Sequence, residues 1–174
     1  MTESDKFFTE PVRLLSKHKI IIKYNVVLLS SAKSLDKRRK IKEIVYKNIK
    51  KNNIKLSVNI IILEDYVKTN NFKLFNSEDD IFRQKDVRAL ICYMDGVGPI
   101  TEFSGYRPVH HVAKKFKIFL NPRFHPLTSQ GKGYLNSVLT NHMIRFGHVY
   151  TAGSKNMINI IAKFITFFIL NDTS

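Results

Sequence analysis

Two acidic residues near a predicted glycine turn are the side chains most suited to chemistry in this chain. The segment 87–94 is a short apolar run with β-branched and aromatic residues, which predicts a buried strand. The turn signals Asp95-Gly96 and Gly98-Pro99 follow it, and Glu102 comes at the expected start of a helix. Because open α/β sheets bind ligands at the carboxyl ends of their strands, Asp95 and Glu102 are the first candidates for a site.

A pair of carboxyl groups in one crevice suits work on a glycosidic bond. One carboxylate stabilises or covalently traps an oxocarbenium-like sugar carbon, and the other manages the proton on the leaving group. Burial and like charge would separate their pKa values and so assign the roles. Each residue also has a purely structural interpretation. Asp95 fits an ordinary Asp-Gly turn, and Glu102 fits an acid favoured by the helix dipole at a helix N-terminus.

The elements that must position this pair alternate along the chain. Apolar runs predict strands over residues 20–30, 56–63, 87–94, 116–120 and 148–151, and periodic stripes predict helices over 36–51, 77–85, 102–115, 134–146 and 157–170. This alternation predicts an α/β fold, a single-domain flavodoxin/Rossmann-like three-layer sandwich with a five-stranded, mostly parallel sheet. Residues 1–19 are expected to form an N-terminal arm, and residues 20–174 the domain.

Helix boundaries are predicted from capping residues. Ser34 is expected to cap the helix over 36–51, Ser154 the last helix, and Ser77-Glu78-Asp79-Asp80 resembles a capping box in which the acids are structural. Gly147 is expected at the C′ position after the helix over 134–146. The loop over 121–133 has two interpretations, a lid over the crevice or a passive connection.

Composition limits the class of protein. The lone cysteine, Cys92, excludes an internal disulfide and a cysteine-rich zinc site, and it favours a reducing, cytoplasmic compartment. No signal peptide is visible and the apolar tail is too short to span a bilayer, so no membrane association is expected. The chain lacks a P-loop and a dinucleotide-binding fingerprint, and its six histidines lack ligand spacing. We therefore expect neither a cofactor nor a metal.

The formal net charge of +15 predicts attraction to polyanions. The densest basic cluster lies on the helix over 36–51 and begins with Lys37, Arg38, Arg39 and Lys40. Three interpretations stay open at this point: a nucleic-acid surface, a site for phosphate-bearing small substrates, and a lysine-rich bias of AT-rich coding. A solvated helix face is the plainest explanation of the cluster itself.

The order of these segments resembles the nucleoside 2-deoxyribosyltransferase superfamily, and within it the 2'-deoxynucleoside 5'-phosphate N-hydrolases. The resemblance spans roughly residues 20–168. It is carried by the first strand and basic helix (26–31, 33–39), by Asp80-Ile81, Asp86-Val87 and Ala89, by Asp95-Gly96, Glu102 and Gly105, and by Asn121-Pro122. The family's glutamate and the glycine after it stand one residue further apart in this chain, and Ser30-Ser31 replaces a glycine of the first loop.

This resemblance implies an N-glycosidase or deoxyribosyltransferase acting on a nucleoside or nucleoside 5'-monophosphate, in a homodimer. Glu102 would be the nucleophile on the sugar C1′, and Asp95 would bind or protonate the base. Substrate binding would fall to the small and polar residues of the two loops and the helix start, with Arg38 or Arg39 assisting if one turns inward: Ser30, Ser31, Lys33, Gly96 and Gly105.

Two other functions stay open. The first is a non-catalytic nucleic-acid-binding or assembly protein on the same scaffold, with Lys37, Arg38, Arg39 and Lys40 as the binding surface. The second is a TIR-like enzyme that cleaves the nicotinamide–ribose bond of NAD, which also needs one glutamate.

Overall fold

Five parallel strands form the centre of the molecule. A computed structural model describes residues 23–52, 57–70, 74–128 and 134–171. Its strands are β1 (Lys23–Leu29), β2 (Ser57–Ile62), β3 (Val87–Tyr93), β4 (Phe116–Leu120) and β5 (Val149–Thr151). They form one sheet in the order β2-β1-β3-β4-β5, and all neighbours are parallel. The predicted fold class is confirmed, a flavodoxin/Rossmann-like three-layer sandwich.

Helices cover both faces of the sheet. They are α1 (Leu35–Lys51), α2 (Leu63–Asn70), α3 (Leu74–Arg83), α4 (Val97–Tyr106), α5 (His110–Ala113), α6 (Tyr134–Phe146) and α7 (Met157–Asn171). One buried cluster joins the sheet to α1 and α7 through Val45 and Ile161. The other joins it to α3, α4 and α6 through Phe82, Phe103 and Leu139. Among the described helices, none has the length and apolar character needed to cross a membrane.

The winding of the chain changes direction between β1 and β3. From β1 the chain moves out to β2 at one edge of the sheet, whereas β4 and β5 extend towards the other edge. The loops that leave the carboxyl ends of β1 and β3 therefore diverge, and such a switch point is where ligands of this topology bind. The residues at these two strand ends are 30–34 and 94–96.

The helix that carries Glu102 begins earlier than predicted. α4 starts at Val97, with Gly96 as its N-cap, and so Glu102 lies in the helix interior and not in the first turn. Pro99 belongs to the first turn, where a proline is tolerated because its missing N–H would have no partner. The predicted single helix over 102–115 is also wrong, since α4 ends at Tyr106 and the short α5 starts only at His110.

The predicted cap positions are confirmed for Gly147 and Ser34 and are wrong for the other two helices. Gly147 has a φ of 69° and its N–H donates to the carbonyl of Met143 at 2.8 Å, as a C′ glycine does. However, α3 begins at Leu74, before Ser77, and α7 begins at Met157, three residues after Ser154. Ser34 is the N-cap residue of α1, as predicted, although its side chain makes no capping bond to that helix. The predicted arm over 1–19 and the end of the 121–133 loop lie outside the described residues.

Candidate functional site

Asp95 links the carboxyl ends of β1 and β3. Its Oδ1 accepts the backbone N–H of Ser31 at 2.8 Å, and its Oδ2 accepts the hydroxyl of Ser34. The neighbouring Gly96 stands against the same loop, because a Cβ placed on it would lie 3.0 Å from the Cβ of Ser31. A side chain at Gly96 would therefore push the two loops apart. Asp95 and Gly96 therefore keep the two loops close together at the switch point.

The loop after β1 has few groups left with which to bind an anion. The Ser31 N–H and the Ser34 hydroxyl both donate to Asp95. The hydroxyl of Ser30 makes one long contact, 3.4 Å, to the carbonyl of Ser31, and Lys33 extends into solvent. A carboxylate of the chain itself thus takes the place that a phosphate takes at many helix N-termini.

The largest acidic cavity of the described residues lies between α3 and α4. Its volume is about 710 Å³, within the range of small-molecule sites. Among the described residues, its lining contains four acids and no basic residue. The acids are Glu78, Asp79, Asp80 and Glu102, and the other lining residues are Thr101, Gly105 and Tyr106. Of the predicted site residues, Glu102 and Gly105 line this cavity. Asp95, Gly96, Ser30, Ser31 and Lys33 belong to the strand-end loops and do not line it.

Glu102 presents a half-buried carboxyl group to this cavity. It immediately precedes Phe103, which is fully buried in the core, so Glu102 lies beside the buried face of α4. Its Oε2 is buried and has no hydrogen-bond partner within the described parts of the chain. Burial is the main cause that raises the pKa of Glu102 to about 7; the charges of Glu78 and Glu64 contribute to this shift, and Arg38 opposes it. Near neutral pH this group is therefore divided between its acid and its base forms.

Arg38 lies in the interior, which corrects its prediction as part of an exposed basic surface. Its side chain is nearly inaccessible, with 4% of the residue exposed, and its guanidinium binds the carboxylate of Glu64 through two hydrogen bonds. Arg38 comes three residues before Ile41 and seven before Val45, so it continues the buried stripe of α1. That spacing is a signal from which its burial could have been predicted. Arg39 is exposed, but it pairs with Asp65 at 2.6 Å.

Glu78 is the cavity residue that sequence reasoning missed, because it was assigned to a capping box. It lies inside α3, and burial raises its pKa, with a further contribution from Glu64. The buried Ile81 and Phe82 follow three and four positions later and point to the same face. Glu78 is close enough to Glu102 for its charge to raise the pKa of that residue. The two carboxyl groups therefore line one cavity, in which the charge of Glu78 acts on Glu102.

Tyr106 and Asp79 close the other end of the cavity lining. The Asp79 carboxylate accepts two bonds from the Nε of Arg83, at 2.7 and 2.8 Å, and its charge acts on Tyr106. Burial raises the pKa of Tyr106 to about 12, and Asp79 and Glu78 add to the shift. This tyrosine is therefore a permanently protonated hydrogen-bond donor at physiological pH.

The arrangement defines a class of protein by fold and site. It is an α/β protein of flavodoxin-like strand order whose main acidic cavity holds the carboxyl groups of Glu78 and Glu102. No protein-family model matches the chain, and no curated protein matches it significantly. Within the described ranges, no group of three or more His, Cys, Asp or Glu residues could hold a metal ion. The chemistry that the cavity itself offers is proton transfer and carboxylate attack on an electrophilic carbon.

Replacing Asp95 should loosen the switch point. Asp95→Ala removes the acceptor of two hydrogen bonds, which should lower the free energy of unfolding by about 1–3 kcal/mol. Glu43→Ala, which removes an exposed acid from α1, is the matched control and should change stability by less than about 0.5 kcal/mol. Urea denaturation followed by circular dichroism measures both. If the two variants are equally stable, Asp95 does not join the loops.

The raised pKa of Glu102 should make the protein less stable as the pH rises. The folded protein retains a proton on Glu102 that the unfolded chain releases, so stability is highest below about pH 4.5 and is lost as the pH rises to about 7. Glu102→Gln should therefore stabilise the protein by about 2 kcal/mol at about pH 8, a value reduced for the solvent contact of the carboxyl, and by little at about pH 4.5.

Thermal unfolding across this pH range, with Glu43→Gln as the control, measures the difference. The control removes a carboxylate that is exposed on α1 and should follow the wild-type curve. A gap between wild type and Glu102→Gln that stays constant from about pH 4.5 to about pH 8 would contradict the burial of this charge.

Proposed function

We propose that the protein is an N-glycosidase or deoxyribosyltransferase that acts on a nucleoside, with Glu102 as the nucleophile. The observation that carries this proposal is the buried, unpartnered Oε2 of Glu102 beside a cavity of about 710 Å³. Such a cavity can hold a nucleoside. A buried carboxyl oxygen that has no hydrogen-bond partner among the described residues is suited to a reaction partner that becomes positively charged, as the sugar carbon does.

The second carboxyl group of the cavity supplies the proton in this proposal. The Glu102 carboxylate forms a bond to C1′ while the bond from C1′ to the base nitrogen breaks, and the base leaves with the bonding electrons and takes a proton from Glu78. Water or a second base then attacks C1′, gives its proton to Glu78 and releases Glu102. We assign Glu78 the role first expected of Asp95, because the Asp95 carboxylate is occupied by Ser31 and Ser34.

The charge of the lining favours a nucleoside over a nucleotide. Among the described residues, four acids and no cation line the cavity, so a 5'-phosphate at this position would meet repulsion from them. The loop that would hold a phosphate already binds the carboxylate of Asp95. The same two observations argue against the pyrophosphate of NAD, and so against a TIR-like activity. Because Arg38 is buried, it is not available to a nucleic acid, which weakens the alternative of a nucleic-acid surface on α1.

The assay for this function is the release of free base. Wild-type protein incubated with deoxynucleosides should release base, which chromatography detects. Glu102→Gln should lower the rate at least about a thousandfold because it removes the nucleophile, and Glu78→Gln by about a hundredfold or more because it removes the proton donor. Glu43→Gln, on the exposed face of α1, should leave the rate unchanged. Base release that is absent, or that Glu102→Gln does not alter, would refute the proposal.

The pH profile separates a nucleophile from a proton donor at position 102. Because Glu102 must be ionised while Glu78 holds its proton, kcat/KM of the wild type should rise and then fall with pH, with one limb near 7, the pKa of Glu102. In Glu78→Gln the falling limb should disappear, and the residual rate should only rise with pH, at a pH below about 7, since the charge of Glu78 is one of the causes that raise the pKa of Glu102. A residual rate of Glu78→Gln that falls as the pH rises would instead make Glu102 the acid, and the assigned roles would be wrong.

A further inference from the structure

A second cavity lies at the amino ends of the strands, whereas Asp95 lies at their carboxyl ends. Its volume is about 650 Å³, and it is formed by residues that precede or begin β3, β4 and β5. Its lining contains five strongly basic residues, two histidines and, within the described part of the chain, no acid. The basic residues are Arg83, Lys85, Arg88, Lys114 and Lys115. Five cationic side chains around one concavity are an electrostatic trap for an anion.

We propose that this cavity binds a ligand that carries two or more neighbouring phosphate groups. The ligand is either a small molecule with a polyphosphate chain or the backbone of a single-stranded nucleic acid, since both present closely spaced phosphates. The site is distinct from the cavity beside Glu102 and does not depend on the proposed glycosidase activity. It also differs from the surface on α1 that the sequence suggested.

A bulge in the sheet directs Arg88 outwards at this cavity. Asn25 pairs with Val87 and Val26 pairs with Ala89, so Arg88 has no partner in the ladder between β1 and β3. Arg88 is the exposed residue of β3, whereas the other residues of this strand are buried. Bulges of this kind re-aim one side chain while the rest of the strand continues. The side chain of Arg88 is therefore presented by rigid backbone.

Asp86 and Asn25 hold the bulge in place. The Nδ2 of Asn25 donates to the Asp86 carboxylate at 2.7 Å, and its backbone N–H donates to the Asp86 carbonyl at 3.0 Å. This carboxylate is a nearby acid whose charge acts on Lys115. Its hydrogen bond to a neutral amide does not cancel that charge, but the five basic residues of the cavity outnumber it.

Lys115 fixes the segment that carries the cations before β3. Its Nζ donates to the carbonyls of Phe82 at 2.9 Å and Gln84 at 2.7 Å, which closes the end of α3 next to Lys85. Burial lowers the pKa of Lys115; Asp86 opposes this shift, and the charges of Lys114 and Arg88 lower the pKa further. These like charges therefore lie close enough to repel one another. A bound anion would relieve that repulsion.

Three of the cations are available to a ligand. Lys85, Arg88 and Lys114 are exposed and take part in none of the ion pairs found among the described residues, whereas Arg83 is paired with Asp79. A guanidinium can grip one phosphate through two parallel hydrogen bonds, and two ammonium groups can each bind another phosphate oxygen. The number of these groups suits several phosphates better than one.

The test compares two triple variants that remove the same charge from different surfaces. The site variant carries Lys85→Ala, Arg88→Ala and Lys114→Ala, and the control carries Lys37→Ala, Lys40→Ala and Lys47→Ala on the exposed face of α1. Calorimetric titration with inorganic tripolyphosphate should show binding to the wild type, a loss of at least about tenfold in affinity for the site variant, and less than about a twofold change for the control.

The result that overturns the proposal is an absence of tripolyphosphate binding to the wild type, or an equal loss in both variants, which would reflect net charge alone. Circular dichroism establishes that both variants are folded. All six substituted residues are exposed, so a folding defect is not expected.

Two further ligands identify the source of the phosphates. ATP and a short labelled single-stranded oligonucleotide are titrated against the same three proteins. Oligonucleotide binding that tripolyphosphate displaces and the site variant loses supports a nucleic-acid ligand, and binding of ATP without the oligonucleotide supports a small molecule. Oligonucleotide binding that only the α1 control loses, with no ATP or tripolyphosphate binding, would refute this cavity as the site.

Discussion

The hydrogen bonds between Asp95 and the loop after β1 determine which groups at the carboxyl ends of the strands remain available to a ligand. In this topology the N–H groups before the first helix commonly receive an anion from solution. Here the chain supplies the anion itself, because Asp95 accepts the Ser31 N–H and the Ser34 hydroxyl. At the switch point, these hydrogen bonds therefore join the loops that follow β1 and β3. Space for a ligand remains between α3 and α4, where Glu102 and Glu78 meet.

Charge is segregated within the molecule in a way that its total does not reveal. The chain carries +15, yet the cavity beside Glu102 is lined by four acids and the cavity beside Arg88 by cations. Screening limits exposed charges to distances of about 8 Å at physiological salt, so the distant lysines do little for a half-buried carboxyl. Burial and the nearby Glu78 therefore outweigh the net charge and raise the pKa of Glu102. For the same reason, the basic residues around Arg88 form a separate cluster at the amino ends of the strands.

The fold followed from local sequence, whereas the site depends on contacts between distant segments. Apolar runs marked all five strands, since a central parallel strand must be apolar on both faces. Arg38 was read as exposed because charged residues are mostly exposed, and its partner Glu64 lies 26 positions away. The bulge at Arg88 is likewise invisible in β3 alone, because it is defined by the register with β1. Only the spacing of Arg38 from Ile41 and of Glu78 from Phe82 held a local signal.

The start of α4 decides how Glu102 should be understood. The sequence of Gly98-Pro99 predicts a turn before the helix. However, a proline also fits the first turn of a helix, and here Gly96, in extended backbone, is the N-cap. Glu102 is thereby moved into the interior of α4, where the helix dipole, whose effect fades within the first turn, gives it little support. What remains is a carboxyl that burial makes unfavourable to ionise, with one oxygen lacking a partner. Such a group lowers the stability of the folded chain near neutral pH, and groups of this kind are concentrated at functional sites.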